Sequence, residues 1–307
     1  MSKTLECRAT FAAEMHTVNL IGAAWGLGAS EAGCESGPEA LQSVEMERQI
    51  KKYGMVPAWR AMIYAPSPHG DNLRTVTSLC HQLADATGQL TVSGRPFGVV
   101  GGDHSCAIGT WNGARRALDG SLGLLWIDAH MDAHTPASSR SGALHGMPLA
   151  CLLGYGDPAL TALDTRLPVL RPQDVCLIGV RSYEPEERDL LDSLGVRVFP
   201  MAEITAQGLD AVIVEALAQV TADTVAYGIS IDLDAIDPAD APGVGTPEDG
   251  GIPGGELVAA LARIPRALSP VALEVAELNP RKDPDQSTAA LVCKLLGAVL
   301  GKRDKVS

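Results

Sequence analysis

The sequence predicts an α/β fold of three layers, αβα, around a mostly parallel central sheet, with residues 1–307 forming a single domain. Three observations lead there. Short runs of almost unbroken apolar residues recur along the chain, as strands buried on both faces of a parallel sheet require. Helix-like segments alternate with them over short connections. No internal repeat, low-complexity block or linker-like stretch divides the chain into two such units.

Taken in order, VNLIGAA (18–24) is the first strand, followed by helical patterns in EALQSVEMERQIKKYG (39–54) and NLRTVTSLCHQLADA (72–86). FGVVGG (97–102) is a strand and AIGTWNGARRAL (107–118) a helix. LGLLWIDAH (122–130), DVCLIGV (174–180) and VRVFPM (196–201) are strands, and LDAVIVEALAQV (209–220) is the helix after them. VAYGISIDLD (225–234) and VALEVAEL (271–278) are the last two strands, separated by the helical GELVAALARI (255–264). The helix STAALVCKLLGAVLG (287–301) closes the chain.

A hydrophobic content of 46% with 20% charged residues supplies the apolar mass for a large core. The net charge of −13 argues against a nucleic-acid partner, because phosphate binding needs clustered Lys and Arg. The seven cysteines stand singly at 7, 34, 80, 106, 151, 176 and 293, a scattered set that fits reduced core thiols. No secretory signal pattern opens the chain, and no apolar run approaches the ~20 residues of a membrane span. A cytoplasmic setting without a membrane partner is expected.

In open α/β sheets, ligands bind beyond the carboxyl ends of the strands, so chemistry is expected where apolar runs turn polar. FGVVGG leads into Asp103, His104 and Ser105; LGLLWI leads into Asp128, His130, Asp132 and His134; YGISI leads into Asp232 and Asp234. On a strand, the two-residue interval from Asp128 to His134 would aim four polar groups at one point. Spacing alone leaves open whether all four bind one metal or three bind while the fourth reads something else. Burying so many unpaired carboxylates is costly, which favours a cation among them.

His104, Asp128, His130, Asp132, Asp232 and Asp234 are too many ligands for one tetrahedral zinc. They suit two ions about 3.5–4 Å apart, bridged by carboxylates, which can lower the pKa of a shared water and supply hydroxide as nucleophile. No Cys is placed to bind, and the oxygen-rich set suits Mn²⁺, with Fe, Co and Ni meeting the same ligand chemistry.

GGDHS, WIDAHMDAHTP, SGALHGMP, SIDLDAIDPADAPGVGTPEDGG and EVAELNP, with the glycine-rich GAAWGLGASEAGCESGPEAL before them, resemble the ordered motif set of the ureohydrolases. These are arginases, agmatinases and related guanidino-group hydrolases, and the likeness, closest to arginases, runs from about Ile21 to about Gly301. The resemblance implies the arginase-like fold, a homotrimer or homohexamer, and hydrolysis of a guanidinium carbon to urea and an amine. It implies two Mn²⁺ per subunit on the six residues above, with Asp132 also among the catalytic groups. His145 matches the histidine that shuttles a proton or stabilises the leaving amine. Glu277 matches the acid that pairs with the substrate guanidinium, a role suited to bidentate hydrogen bonding, and Thr246 lies in a loop matching the pocket wall.

The same resemblance addresses the substrate. The loop from Thr135 to His145 is arginase-like in spacing, and Ser139 and Ser141 match hydroxyls that contact the amino-acid head group. Three positions depart from the arginase pattern. His134 and Ala143 stand where Asn is usual, and Glu184 stands where an Asp meets the α-ammonium. His134 therefore reads as a substrate selector rather than a seventh ligand. L-arginine hydrolysis to L-ornithine and urea is the leading expectation, with agmatine or a guanidino acid such as 4-guanidinobutanoate as the alternative substrate. A deacetylase-like amidohydrolase would hold one zinc instead of two manganese ions. A non-catalytic relative would be expected to lose ligands that this chain keeps.

Overall fold

The computed structural model describes residues 15–67, 70–163 and 168–302; Cys7 and the outer ends of the expected 1–307 domain lie outside them. Eight strands are formed: β1 His16–Ala24, β2 Met55–Tyr64, β3 Phe97–Gly101, β4 Leu122–Ile127, β5 Val175–Val180, β6 Arg197–Pro200, β7 Ala226–Asp232 and β8 Ala272–Ala276. They make one sheet in the order β2-β1-β3-β8-β7-β4-β5-β6, and every pairing is parallel.

Alternate side chains of each strand enter two separate cores. Leu125, Ile127, Ile229, Ile231 and Val275 face a core completed by the helices Val44–Lys51, Leu209–Thr221, Gly254–Arg263 and Ser287–Leu300. Leu124, Trp126, Val99, Leu177 and Ala272 face the other, which holds the helices Asn72–Val92 and Cys106–Arg116. The result is the three-layer αβα arrangement with a wholly parallel sheet among the described strands. The six described cysteines are free and buried, and no described helix is long and apolar enough to cross a membrane.

The two longest of the elements that went unread in the sequence are β2 and the helix Pro185–Leu194. β2 is an edge strand, mostly half-buried or exposed, and its Pro57 and Arg60 interrupt the apolar signal. Proline survives there because an edge strand need not donate on both sides. Arg60 is the extra residue of a bulge: Leu20 pairs with Trp59 and Ile21 with Ala61, and the Arg60 Nε donates to Asn19 at 2.7 Å. The helix Pro185–Leu194 is announced by capping rather than by periodicity. Pro185 opens it, the Glu184 and Glu187 side chains form a reciprocal capping box, and Gly195 closes it at φ 74°.

A third difference bears on function. β4 ends at Ile127, so Asp128 and the residues after it lie on a loop and not on the strand that the two-residue spacing suggested.

Candidate metal centre

The four central strands β3, β8, β7 and β4 are neighbours, and their carboxyl ends carry the polar residues singled out by the sequence. His104 follows β3, Glu277 follows β8, Asp232 ends β7 with Asp234 just beyond, and Asp128 follows β4. The six candidate ligands fall into two groups that share one member. His104, Asp128, Asp132 and Asp232 converge within 4.8 Å, as do Asp128, His130 and Asp234.

The shared carboxylate divides its oxygens. Asp128 Oδ2 lies 3.3 Å from His104 Nδ1, while Oδ1 lies 3.7 Å from His130 Nδ1. His104 Nδ1 also stands 3.0 Å from Asp132 Oδ2 and 3.2 Å from Asp232 Oδ2, and His130 Nδ1 stands 3.0 Å from Asp234 Oδ2. His104 Nδ1 and Asp132 Oδ2 are both buried, yet neither has a hydrogen-bond partner. Buried polar atoms without partners are rare and need a cause. Here lone pairs turned toward one another suit a cation between them better than a network without one.

Electrostatics agree with that reading. Burial pushes Asp232 well above the ordinary carboxylate range, and repulsion from Asp234 and Asp128 adds to the shift. Asp132 is pushed up to about 6 by burial and by Asp128. Burial opposes a charge on His104 and on His130, but the surrounding carboxylates outweigh it and raise both. Four carboxylates against two imidazoles leave an excess of negative charge in a buried space. Divalent cations remove such an excess, and oxygen ligands with two imidazoles fit a pair of hard or borderline ions.

Side chains absent from the sequence reading orient the ligands. The Trp126 indole stacks on His104 with ring centroids 4.4 Å apart, and its Nε1–H donates to Asp128 Oδ2 at 2.9 Å. Ser230 meets His104 Nε2 at 3.0 Å and donates to Glu274 at 2.8 Å. Such outer partners fix a ligand's tautomer and direction. A signal for Ser230 did exist: it is a small hydroxyl set between the apolar Ile229 and Ile231 in a buried run.

Arg181, at the end of β5, holds the wall under Asp234. Its guanidinium donates to five carbonyl oxygens, those of Gly179, Asp234, Ala235, Glu248 and Asp249. Thr246, on the same loop, donates its hydroxyl to Asp234 Oδ2 at 3.2 Å.

Beside the metal-ligand candidates sits the pair His145 and Glu277. Glu277 Oε1 accepts the His104 backbone N–H and faces His145 Nδ1, each at 3.0 Å. Its Oε2 lies toward Gly245, where a Cβ would come within 3.3 Å. Burial lowers His145, but the hydrogen bond and charge of Glu277 outweigh it and lift the imidazole to about 9. Asp132 and Glu277 have φ of 49° and 69°, a left-handed backbone that costs L-residues energy and concentrates at functional sites.

The expected head-group residues form a separate cluster nearby. His134 Nε2 lies 2.9 Å from Glu184 Oε2 and 3.5 Å from Glu187 Oε2, and its Nδ1 faces Ser138 at 3.1 Å. Glu187, missed in the sequence, is buried and accepts the backbone N–H groups of Ala133 and Glu184. Ser139 and Ser141 accept from the backbone of Gly142 and Ala143 within their own loop. His134 thus stands apart from the six-residue cluster.

Comparison with known proteins places this geometry in a family. Residues 16–301 match the model of the Arginase family. The chain is 36% identical over 300 residues to an arginase of Bacillus caldovelox, covering 94% of this chain and 99% of that one. It is 36% identical over 293 residues to an arginase of Brevibacillus brevis, covering 93% and 98%. Among solved structures, the arginase from Bacillus subtilis superposes with a TM-score of 0.87 at 35% identity, covering 94% of this chain and all of that one.

Proposed function

Because the chain belongs to the arginase family, we propose that it hydrolyses L-arginine to L-ornithine and urea, as a single domain that works with two manganese ions. The observation that carries this reading is Asp128 shared between two carboxylate–imidazole groups, with the Glu277–His145 pair beside them. His104, Asp128, Asp132 and Asp232 would hold one ion, and Asp128, His130 and Asp234 the other. When bound, such a pair supplies Lewis-acid activation of water at neutral pH.

The chain's own groups complete the site. Glu277 offers its Oε2 to a guanidinium N–H while Oε1 is occupied by His104 and His145, so the planar cation is oriented by one carboxylate held still on its other side. His145 holds a proton at neutral pH and can deliver it to the departing amine nitrogen. Asp132 would serve both as a ligand and as one of the catalytic groups. Thr246 braces Asp234, and Ser139, Ser141, His134 and Glu184 would meet the amino-acid head group of the substrate.

A second reading has a specific observation in its favour. His134 and Glu184 already satisfy each other at 2.9 Å, and Ala143 offers no side-chain donor. A substrate without an α-ammonium, such as 4-guanidinobutanoate, would leave that pair undisturbed. Urea release from L-arginine, agmatine and 4-guanidinobutanoate by the manganese-loaded protein separates the readings. Rapid turnover of either of the others without any from arginine overturns the first. A homotrimer or homohexamer and a cytoplasmic setting belong to the same proposal; sedimentation analysis tests the assembly.

A further inference from the structure

Asp103 precedes the ligand candidate His104 and has no part in the reading above. It is wholly buried, and both of its oxygens are engaged. Oδ2 accepts the Gly28 N–H at 2.8 Å, and Oδ1 accepts the Ser105 N–H at 2.9 Å together with the Ser105 hydroxyl. Gly28 belongs to the loop that leaves β1, and that loop approaches Asp103 as closely as a glycine permits. A Cβ on Gly28 would stand 2.7 Å from Asp103 Oδ1.

The other side of the same peptide segment reaches His145. The Gly28 carbonyl accepts the backbone N–H of His145 at 3.2 Å. His145 Nδ1 then meets Glu277 Oε1, which accepts the N–H of His104, the residue next to Asp103. The connections therefore close a ring: Asp103, Gly28, His145, Glu277, His104. Four segments distant in sequence are joined through it. Three donors on its two oxygens fix the buried Asp103 carboxyl group in place, and with it the position of the Gly28 peptide.

We propose that Asp103 is a positioning residue for His145, acting through Gly28 to set the height of the imidazole above Glu277. Misplacing a reacting group by about 1 Å can cost on the order of 10²-fold in rate. The inference rests on the proposed guanidine hydrolysis and on His145 taking part in it.

A double-mutant cycle tests it, with kcat, KM and bound metal measured on manganese-loaded protein. Asp103→Asn is expected to lower kcat about 10- to 100-fold, with KM changed less than about threefold and the metal content of the parent retained. In a His145→Ala background the same substitution is expected to cost less than about threefold, because the group it positions is gone. Gly28→Ala approaches the contact from the loop side and is expected to show the same split, which keeps the test open if Asp103→Asn folds poorly. An equal loss in both backgrounds, an unchanged kcat, or loss of metal overturns the proposal. Urea production by the parent with any of these results overturns the role of Asp103 alone. No urea from the parent on any of the three guanidines overturns the reaction and this role with it.

Discussion

His145 Nδ1 lies 3.0 Å from Glu277 Oε1, and this contact joins a loop histidine to the carboxylate beyond β8. Neither residue belongs to the two groups of metal-ligand candidates. Replacing His145 by Ala should therefore leave two metals bound while turnover falls by roughly 10²-fold or more, the usual size of a lost general acid or base. Elemental analysis beside a urea assay checks both halves.

The same contact predicts a pH dependence. His145 is lifted to about 9 from 6.5, so the folded protein binds this proton more tightly than the unfolded chain does. Its contribution to stability is fully present below about pH 6.5 and is lost as pH rises through about 9. Urea-denaturation midpoints of the metal-free protein should fall across that window. His145→Ala should flatten the fall, and a parallel slope in that variant would refute the assignment.

Asp128 faces both imidazoles, whereas Asp234 belongs to one group only. Asp128→Asn should weaken both metal positions and Asp234→Asn chiefly one. In each case the rise in Tm on adding Mn²⁺ should shrink, since a ligand stabilises the native state only as far as it binds. Metal counting with calorimetry at stepped Mn²⁺ concentrations distinguishes the two variants.

Trp126→Phe keeps an aromatic ring over His104 and removes the N–H bound to Asp128. Metal affinity should weaken by about 10-fold or somewhat more, the range for outer partners of metal ligands. Titration of free Mn²⁺ by electron paramagnetic resonance reads this directly, and an affinity equal to the parent's would show the indole N–H to be irrelevant.

Glu187→Ala would leave the backbone N–H groups of Ala133 and Glu184 without their acceptor. A cost of about 2 kcal/mol is expected from a lost cap and a buried unpaired donor. The denaturation midpoint should move without a change in m.

Much of the sheet was legible because strands such as β3, β4, β5 and β8 are buried on both faces and read as nearly unbroken apolar runs. β2 escaped because an edge strand tolerates Pro57 and Arg60, and the helix at Pro185 escaped because its signal is a cap rather than a stripe. The identities of the converging acids and histidines were also readable, since all follow strand ends. Their directions were not. The two-residue rhythm from Asp128 to His134 suggested a strand, but β4 stops at Ile127 and Asp132 turns into a left-handed conformation. That turn places Asp132 with His104, while His134 meets Glu184. Partners such as Trp126 and Glu187 were hidden because cross-strand and cross-loop contacts leave no periodic trace.

The five carbonyl bonds of Arg181 bear on how the cradle is supported. A guanidinium of the chain's own gathers the backbone beneath Asp234, so that stretch takes its course from covalent neighbours and hydrogen bonds alone. Small metal-dependent domains collapse only around their ion. Here the backbone beneath Asp234 is tied down by a side chain of the protein itself, so this part of the cradle has a support other than an ion.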